Sequence, residues 1–227
     1  MEEKRVAVVT EAGGNGLGKS FANILIKYDY EVVLAASKGS FEKLTKEENN
    51  LSQYNLFEVD FKSRESLTAL KKHVLETYGK LDLLINNAEV VNGFGQKIDQ
   101  INIDEVRELY EVNLFAVIQL IQLLKPLLEK SDDPSIINIT SALGDINKMR
   151  DEGFCYSGYG LPAYATSKAA LNMYTHLQCR EFKPSKIAIH TFDPIAMKNC
   201  THNSVFICDG IKDEFVSLIK KEKSRVE

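Results

Sequence analysis

The sequence predicts a doubly wound α/β fold, a mostly parallel seven-stranded sheet with helices on both faces. Two observations carry this prediction. Short apolar, β-branched runs alternate with amphipathic stretches along the chain, and a glycine-rich turn joins the first run to the first helical pattern.

Residues 6–10 form the first run, and Phe21, Ile24, Leu25 and Tyr28 follow at helical spacing. Residues 31–36 and 55–60 read as the next two strands. Leu67, Leu70, Val74, Leu75 and Tyr78 mark a helix, and residues 81–87 a fourth strand. A long helix is expected over 104–130, strands over 135–141 and 186–193, and a helix over 163–182 between them. Residues 204–208 supply a last strand and 212–223 a closing helix. No linker, repeat or low-complexity segment interrupts the series, so a single domain over 1–227 is expected. In such sheets ligands bind beyond the carboxyl ends of the strands, where Thr10, Asn87, Ser141 and Asp193 fall.

Charge and composition narrow the function. A formal net charge of −4 lacks the cationic surplus that nucleic-acid binding requires. No apolar run has the form of a signal peptide or the length of a membrane span, so a cytoplasmic location without membrane or nucleic-acid partners is expected. Cys155, Cys179, Cys200 and Cys208 contain no CxxC pair and read as ordinary thiols, and no metal site is expected.

The turn from Thr10 to Ser20 contains Gly13, Gly14, Gly16 and Gly18 ahead of a helix. Glycines there let backbone approach a phosphate, and the helix N-terminus supplies free N–H groups and the positive dipole end. Residues 13–20 also satisfy the P-loop pattern GxxxxGK[ST], with Lys19 and Ser20 at the phosphate and magnesium positions. A phosphotransferase needs a metal-binding acid at a neighbouring strand end. The fourth strand runs instead into Asn86-Asn87, which favours a dinucleotide.

Tyr164 and Lys168 form a YxxxK pair, and side chains four apart share one helix face. A nearby ammonium favours the phenolate and brings a tyrosine pKa down from ~10 toward useful proton transfer. Ser141 ends the strand Ile-Ile-Asn-Ile-Thr-Ser, Asn113 sits in Glu-Val-Asn-Leu-Phe-Ala, and Asn86-Asn87-Ala88 closes the fourth strand. In this order and spacing the set resembles the short-chain dehydrogenase/reductase family, whose fold is of the Rossmann type, over essentially the whole chain. The resemblance implies a catalytic tetrad. Tyr164 is the acid/base, Lys168 lowers its pKa and binds the nicotinamide ribose, Ser141 orients the carbonyl, and Asn113 holds a relay water. It also implies a carbonyl or alcohol substrate and a homodimer or homotetramer. The 23-residue step from Ser141 to Tyr164 looks like the carbonyl-reductase branch.

For the cofactor, the resemblance implies contacts from Ala12, Gly16, Leu17, Gly18, Lys38, Asp60, Asn87, Tyr164, Lys168 and Pro194. NAD-preferring folds place an acid at the second strand's end, about 20 residues past the glycine loop. Leu-Ala-Ala-Ser-Lys stands there instead, so Lys38 and Ser37 suit a 2′-phosphate and NADP(H) is expected over NAD(H). Three family glycines are replaced. Glu89 follows Asn86-Asn87-Ala88, and Ile195 follows Pro194. The first loop glycine is Ala12, or Glu11 if one residue is inserted. Bulky side chains where a cofactor approaches open an alternative, a cofactor-binding regulatory protein with little turnover.

Overall fold

The computed structural model describes residues 4–11, 16–47, 53–194, 213, 215–217 and 219. The chain runs β1 (Arg5–Thr10), α1 (Leu17–Lys27), β2 (Tyr30–Ala36), α2 (Lys38–Glu47), β3 (Asn55–Glu58), α3 (Arg64–Tyr78) and β4 (Leu83–Asn86). It continues through α4 (Ile103–Tyr110), a π-helical turn (Glu111–Ala116), α5 (Val117–Leu128), β5 (Ser135–Ile139), α6 (Ile146–Arg150), α7 (Pro162–Glu181) and β6 (Ala188–Phe192).

Six parallel strands lie in the order β3-β2-β1-β4-β5-β6. The order reverses between β1 and β4, and the crevice at that switch point is where a doubly wound sheet binds its ligand. The expected seventh strand, residues 204–208, lies outside the described residues.

Alternation along each strand sorts the core into two layers. Val6 and Val8 of β1 pack with Leu70 and Val74 of α3 and Leu120 and Leu124 of α5. Ala7 and Val9 pack on the other face with Phe21 and Leu25 of α1 and with Phe192 and Phe215. Burial on both faces is why these strands read as continuous apolar runs rather than alternating ones.

Four local features depart from the sequence reading. Lys38–Glu47 is a helix rather than a loop, and its weak apolar signal reflects one buried residue, Leu44. The helical stretch from Ile103 to Leu128 is continuous but widens into a π turn around Asn113. By length and composition that stretch suffices to cross a membrane, contrary to expectation. Half of its apolar window is buried within the protein, as in a core helix. Cys155 is disulfide-bonded, so it is not an ordinary thiol, whereas Cys179 is free and exposed.

Candidate active site

Thr10 organises the switch point. Its hydroxyl donates to the Ile85 carbonyl at 3.3 Å and accepts from the amides of Asn87 and Ala88, each at 2.9 Å. Asn87 returns the contact, its Nδ2 donating to the carbonyls of Thr10 at 3.0 Å and Glu11 at 2.7 Å. The ends of β1 and β4 are thereby tied together by side chains, and the chain after Asn87 leaves in a set direction.

Three of the four tetrad residues meet where β5 ends against α7. Ser141 caps the turn after β5, its Oγ accepting from the Leu143 amide at 3.3 Å, and it is 2% exposed. Tyr164 and Lys168 lie on the first turns of α7, buried at 5% and 1% exposure. Lys168 Nζ donates to the Ile139 carbonyl at 2.9 Å and sits 5.6 Å from the centre of the Tyr164 ring. Asn113 stands behind them. Its Oδ1 accepts from the Val90 amide at 2.8 Å, and its Nδ2 donates to the Val90 carbonyl at 3.0 Å and to Ser167 Oγ at 3.1 Å. The π turn aims Asn113 at this loop, a common use of such bulges at functional sites.

Glu89 completes the group. One carboxylate oxygen, Oε2, accepts from the Tyr164 hydroxyl at 3.1 Å and pairs with Lys168 Nζ at 2.7 Å. The Lys168 side chain is 2% exposed and that of Glu89 34%. The electrostatics reverse the expectation for Tyr164. Burial first, then the charge of Glu89 and its hydrogen bond, push the phenol well above its ordinary range; Asp193 adds to this and only Ser141 opposes it. In this arrangement the Lys168 ammonium is paired with the Glu89 carboxylate.

The opposite end of the crevice suits phosphate. Gly16 is the N-cap of α1 and offers no side-chain cap, which leaves the N–H groups of the first turn at Leu17 and Gly18 facing outward from the helix end. Ala12 and Ile195 lie outside the described residues. Glu11 is held at φ +52°, the left-handed region where glycine fits without strain, which favours Glu11 as the residue in the family glycine's place. Its Oε2 accepts from the Ser37 amide at 3.1 Å, and its Oε1 accepts from the Ser40 hydroxyl. A carboxylate thus caps the N-terminus of α2, beside Lys38. Asp60 is exposed and its Oδ1 accepts from the Lys62 amide at 2.9 Å, shaping the turn into α3. Pro194 follows β6 and is partly buried. A cavity of about 470 Å³ flanks Ser141 between α7 and β6, lined by Asp145, Asn172, Thr191 and Asp193 among others, but not by Tyr164 or Glu89.

Sequence reasoning missed Ser167 and the direct contacts of Glu89 and Glu11. Their signal lay in the glycine positions both glutamates occupy, and it pointed to crowding rather than to partners.

The short chain dehydrogenase family model matches residues 5–206. A Penicillium roqueforti protein named short-chain dehydrogenase anuI is 31% identical over 198 residues, covering 82% of this chain and 76% of its own. The NADPH-bound carbonyl reductase from chicken fatty liver superposes with a TM-score of 0.74 at 25% identity, covering 85% of this chain and 79% of its own. Sniffer of Caenorhabditis elegans, named a candidate carbonyl reductase, superposes with a TM-score of 0.73 at 28% identity, with 85% of each chain covered. The P-loop pattern of residues 13–20 falls inside the matched stretch. The sheet order, the switch-point crevice and the buried Ser141, Tyr164 and Lys168 agree with that match: the chain belongs to the short-chain dehydrogenase/reductase family and is an oxidoreductase of that kind.

Proposed function

We propose that the chain transfers a hydride between NADP(H) and a small carbonyl or alcohol, with Tyr164 as the acid/base. One observation carries this reading: Ser141, Tyr164 and Lys168 are buried together at the end of β5, at the carboxyl edge of the sheet. The nicotinamide ring, when bound, supplies or accepts the hydride. Tyr164 gives its hydroxyl proton to the carbonyl oxygen during reduction, and Ser141 donates a hydrogen bond that orients that oxygen. Lys168 holds the nicotinamide ribose and favours the phenolate left behind. Asn113 acts by fixing Val90 and Ser167, which stabilises the wall of the site.

Gly16, Leu17 and Gly18 take the pyrophosphate at the N-terminus of α1, Asp60 and Asn87 line the adenosine side, and Pro194 closes the nicotinamide side. Preference for NADP(H) rests on Lys38 and Ser37 at the N-terminus of α2, where the chain already holds an anion in the Glu11 carboxylate. The NADPH-bound carbonyl reductase among the structural neighbours supports it. Subunits pair through α7 and the long helical stretch before it, where Met173 and Leu177 of α7 and Phe115 of the π turn are exposed; light scattering that finds a monomer at every concentration sinks this pairing.

The test is NADPH oxidation against a panel of aldehydes and ketones, beside binding of NADPH and NADH. Absence of both binding and turnover refutes the reading. Binding without turnover supports the alternative, a regulatory protein, which the Glu89 contact favours.

A further inference from the structure

Glu89 occupies both donors at the nicotinamide end of the crevice. Its Oε2 is 2.7 Å from Lys168 Nζ and 3.1 Å from the Tyr164 hydroxyl. The only other hydrogen bond of the Lys168 ammonium among the described residues goes to the Ile139 carbonyl. A buried ammonium facing one carboxylate depends on it, since removing the partner leaves a charge without compensation. Ribose hydroxyls brought to these two groups must compete with a carboxylate already held in a charge-assisted pair with the Lys168 ammonium.

We infer that Glu89 is an internal competitor for the nicotinamide ribose, closing the site until its carboxylate turns out to solvent. This rests on the hydride-transfer reading, because it takes Tyr164 and Lys168 as the groups that the ribose meets. Two features support it. The Glu89 side chain is 34% exposed, so a route to water exists. The backbone on either side is pinned, Ala88 to Thr10 and Val90 to Asn113, so the carboxylate moves and the loop does not. Apparent cofactor affinity is then the intrinsic affinity scaled by the fraction of molecules with Glu89 turned out.

The experiment is calorimetric titration of the full chain and of Glu89→Gln and Glu89→Ala. The probes are NADPH, reduced nicotinamide mononucleotide and adenosine 2′,5′-bisphosphate. In Glu89→Ala, NADPH and the mononucleotide bind about tenfold tighter or more, the size expected if the open form is a minor one. Glu89→Gln keeps an acceptor for Lys168 without the charge, so it gives a smaller gain and serves if the alanine variant folds poorly. The adenosine bisphosphate does not reach Lys168, and its affinity stays constant throughout. NADPH affinity that is unchanged or weaker in both variants, with the bisphosphate still bound, overturns the competitor role and leaves the hydride-transfer reading standing. Failure of the wild type and both variants to bind any of the three overturns that reading, and this inference with it.

Discussion

A Cβ built on Gly144 lies 2.6 Å from the carbonyl carbon of Lys168 and 2.6 Å from the amide nitrogen of Ala169. Both are backbone atoms and cannot rotate away. The turn after β5 therefore docks directly on α7, and the Gly144 carbonyl accepts from Asn172 Nδ2 at 3.2 Å in the same contact. This apposition sets the distance between Ser141 and the Tyr164–Lys168 pair. Gly144→Ala is expected to destabilise the fold by about 1–3 kcal/mol, as overpacking does. Urea denaturation measures it, and a wild-type midpoint contradicts the contact.

Tyr164→Phe keeps the buried ring and removes the proton. Turnover falls about 10²–10⁴-fold, the usual loss when acid–base help is removed. NADPH binding is nearly intact. Steady-state rates beside a binding isotherm test this, and undiminished turnover refutes Tyr164 as the acid/base.

Truncating Glu89 strands a buried ammonium, whereas truncating Lys168 frees a carboxylate that already reaches water. Glu89→Ala is expected to cost about 1–3 kcal/mol, below the value for a fully buried pair because Glu89 is a third exposed. Lys168→Met is expected to cost less, and the double variant recovers part of the Glu89→Ala loss. A double-mutant cycle by chemical denaturation reads the coupling; additive losses contradict it.

The raised Tyr164 phenol has a signature at alkaline pH. Above the ordinary tyrosine value of ~10, the unfolded chain releases a proton that the native chain keeps, so stability falls as pH rises there. Below that pH this contribution is intact. Tyr164→Phe flattens the decline, while Tyr54 and Tyr174, also raised by burial, act equally in both proteins. Identical pH–stability slopes in the two proteins rule out the shift.

Lys38→Ala is expected to weaken NADPH while sparing NADH. Glu11→Gln, which removes the anion beside Ser37 and Ser40, strengthens NADPH selectively. Each change is about tenfold, the usual worth of a charge-assisted contact near 1.4 kcal/mol. Isotherms for both cofactors test it. Weaker NADH binding in Glu11→Gln instead identifies Glu11 as a ribose acceptor and reverses the preference.

Much of this site was legible because its spacing is local. Tyr164 and Lys168 share a face of α7 through helical geometry alone, and Thr10, Asn87 and Ser141 lie where apolar runs stop. The Glu89 contact was not legible, because it joins residues 75 positions apart in Tyr164 and still farther apart in Lys168. The π turn at Asn113 was equally hidden. The apolar period passes through it unbroken, and the contact it serves, Asn113 to Val90, joins residues 23 positions apart. Helix α2 escaped notice because an edge helix burying little but Leu44 has almost no apolar period to read.

The clamp on Val90 also bears on time. With the amide and carbonyl of Val90 both bound by Asn113, and Ala88 bound by Thr10, only side-chain torsions remain free at Glu89. Rotamer changes of solvent-reaching side chains take picoseconds to nanoseconds, far faster than a cofactor arrives by diffusion. The carboxylate works as a shutter rather than a hinged door. Cofactor association is then a single exponential without a lag, its rate constant lowered in proportion to the time the shutter spends closed.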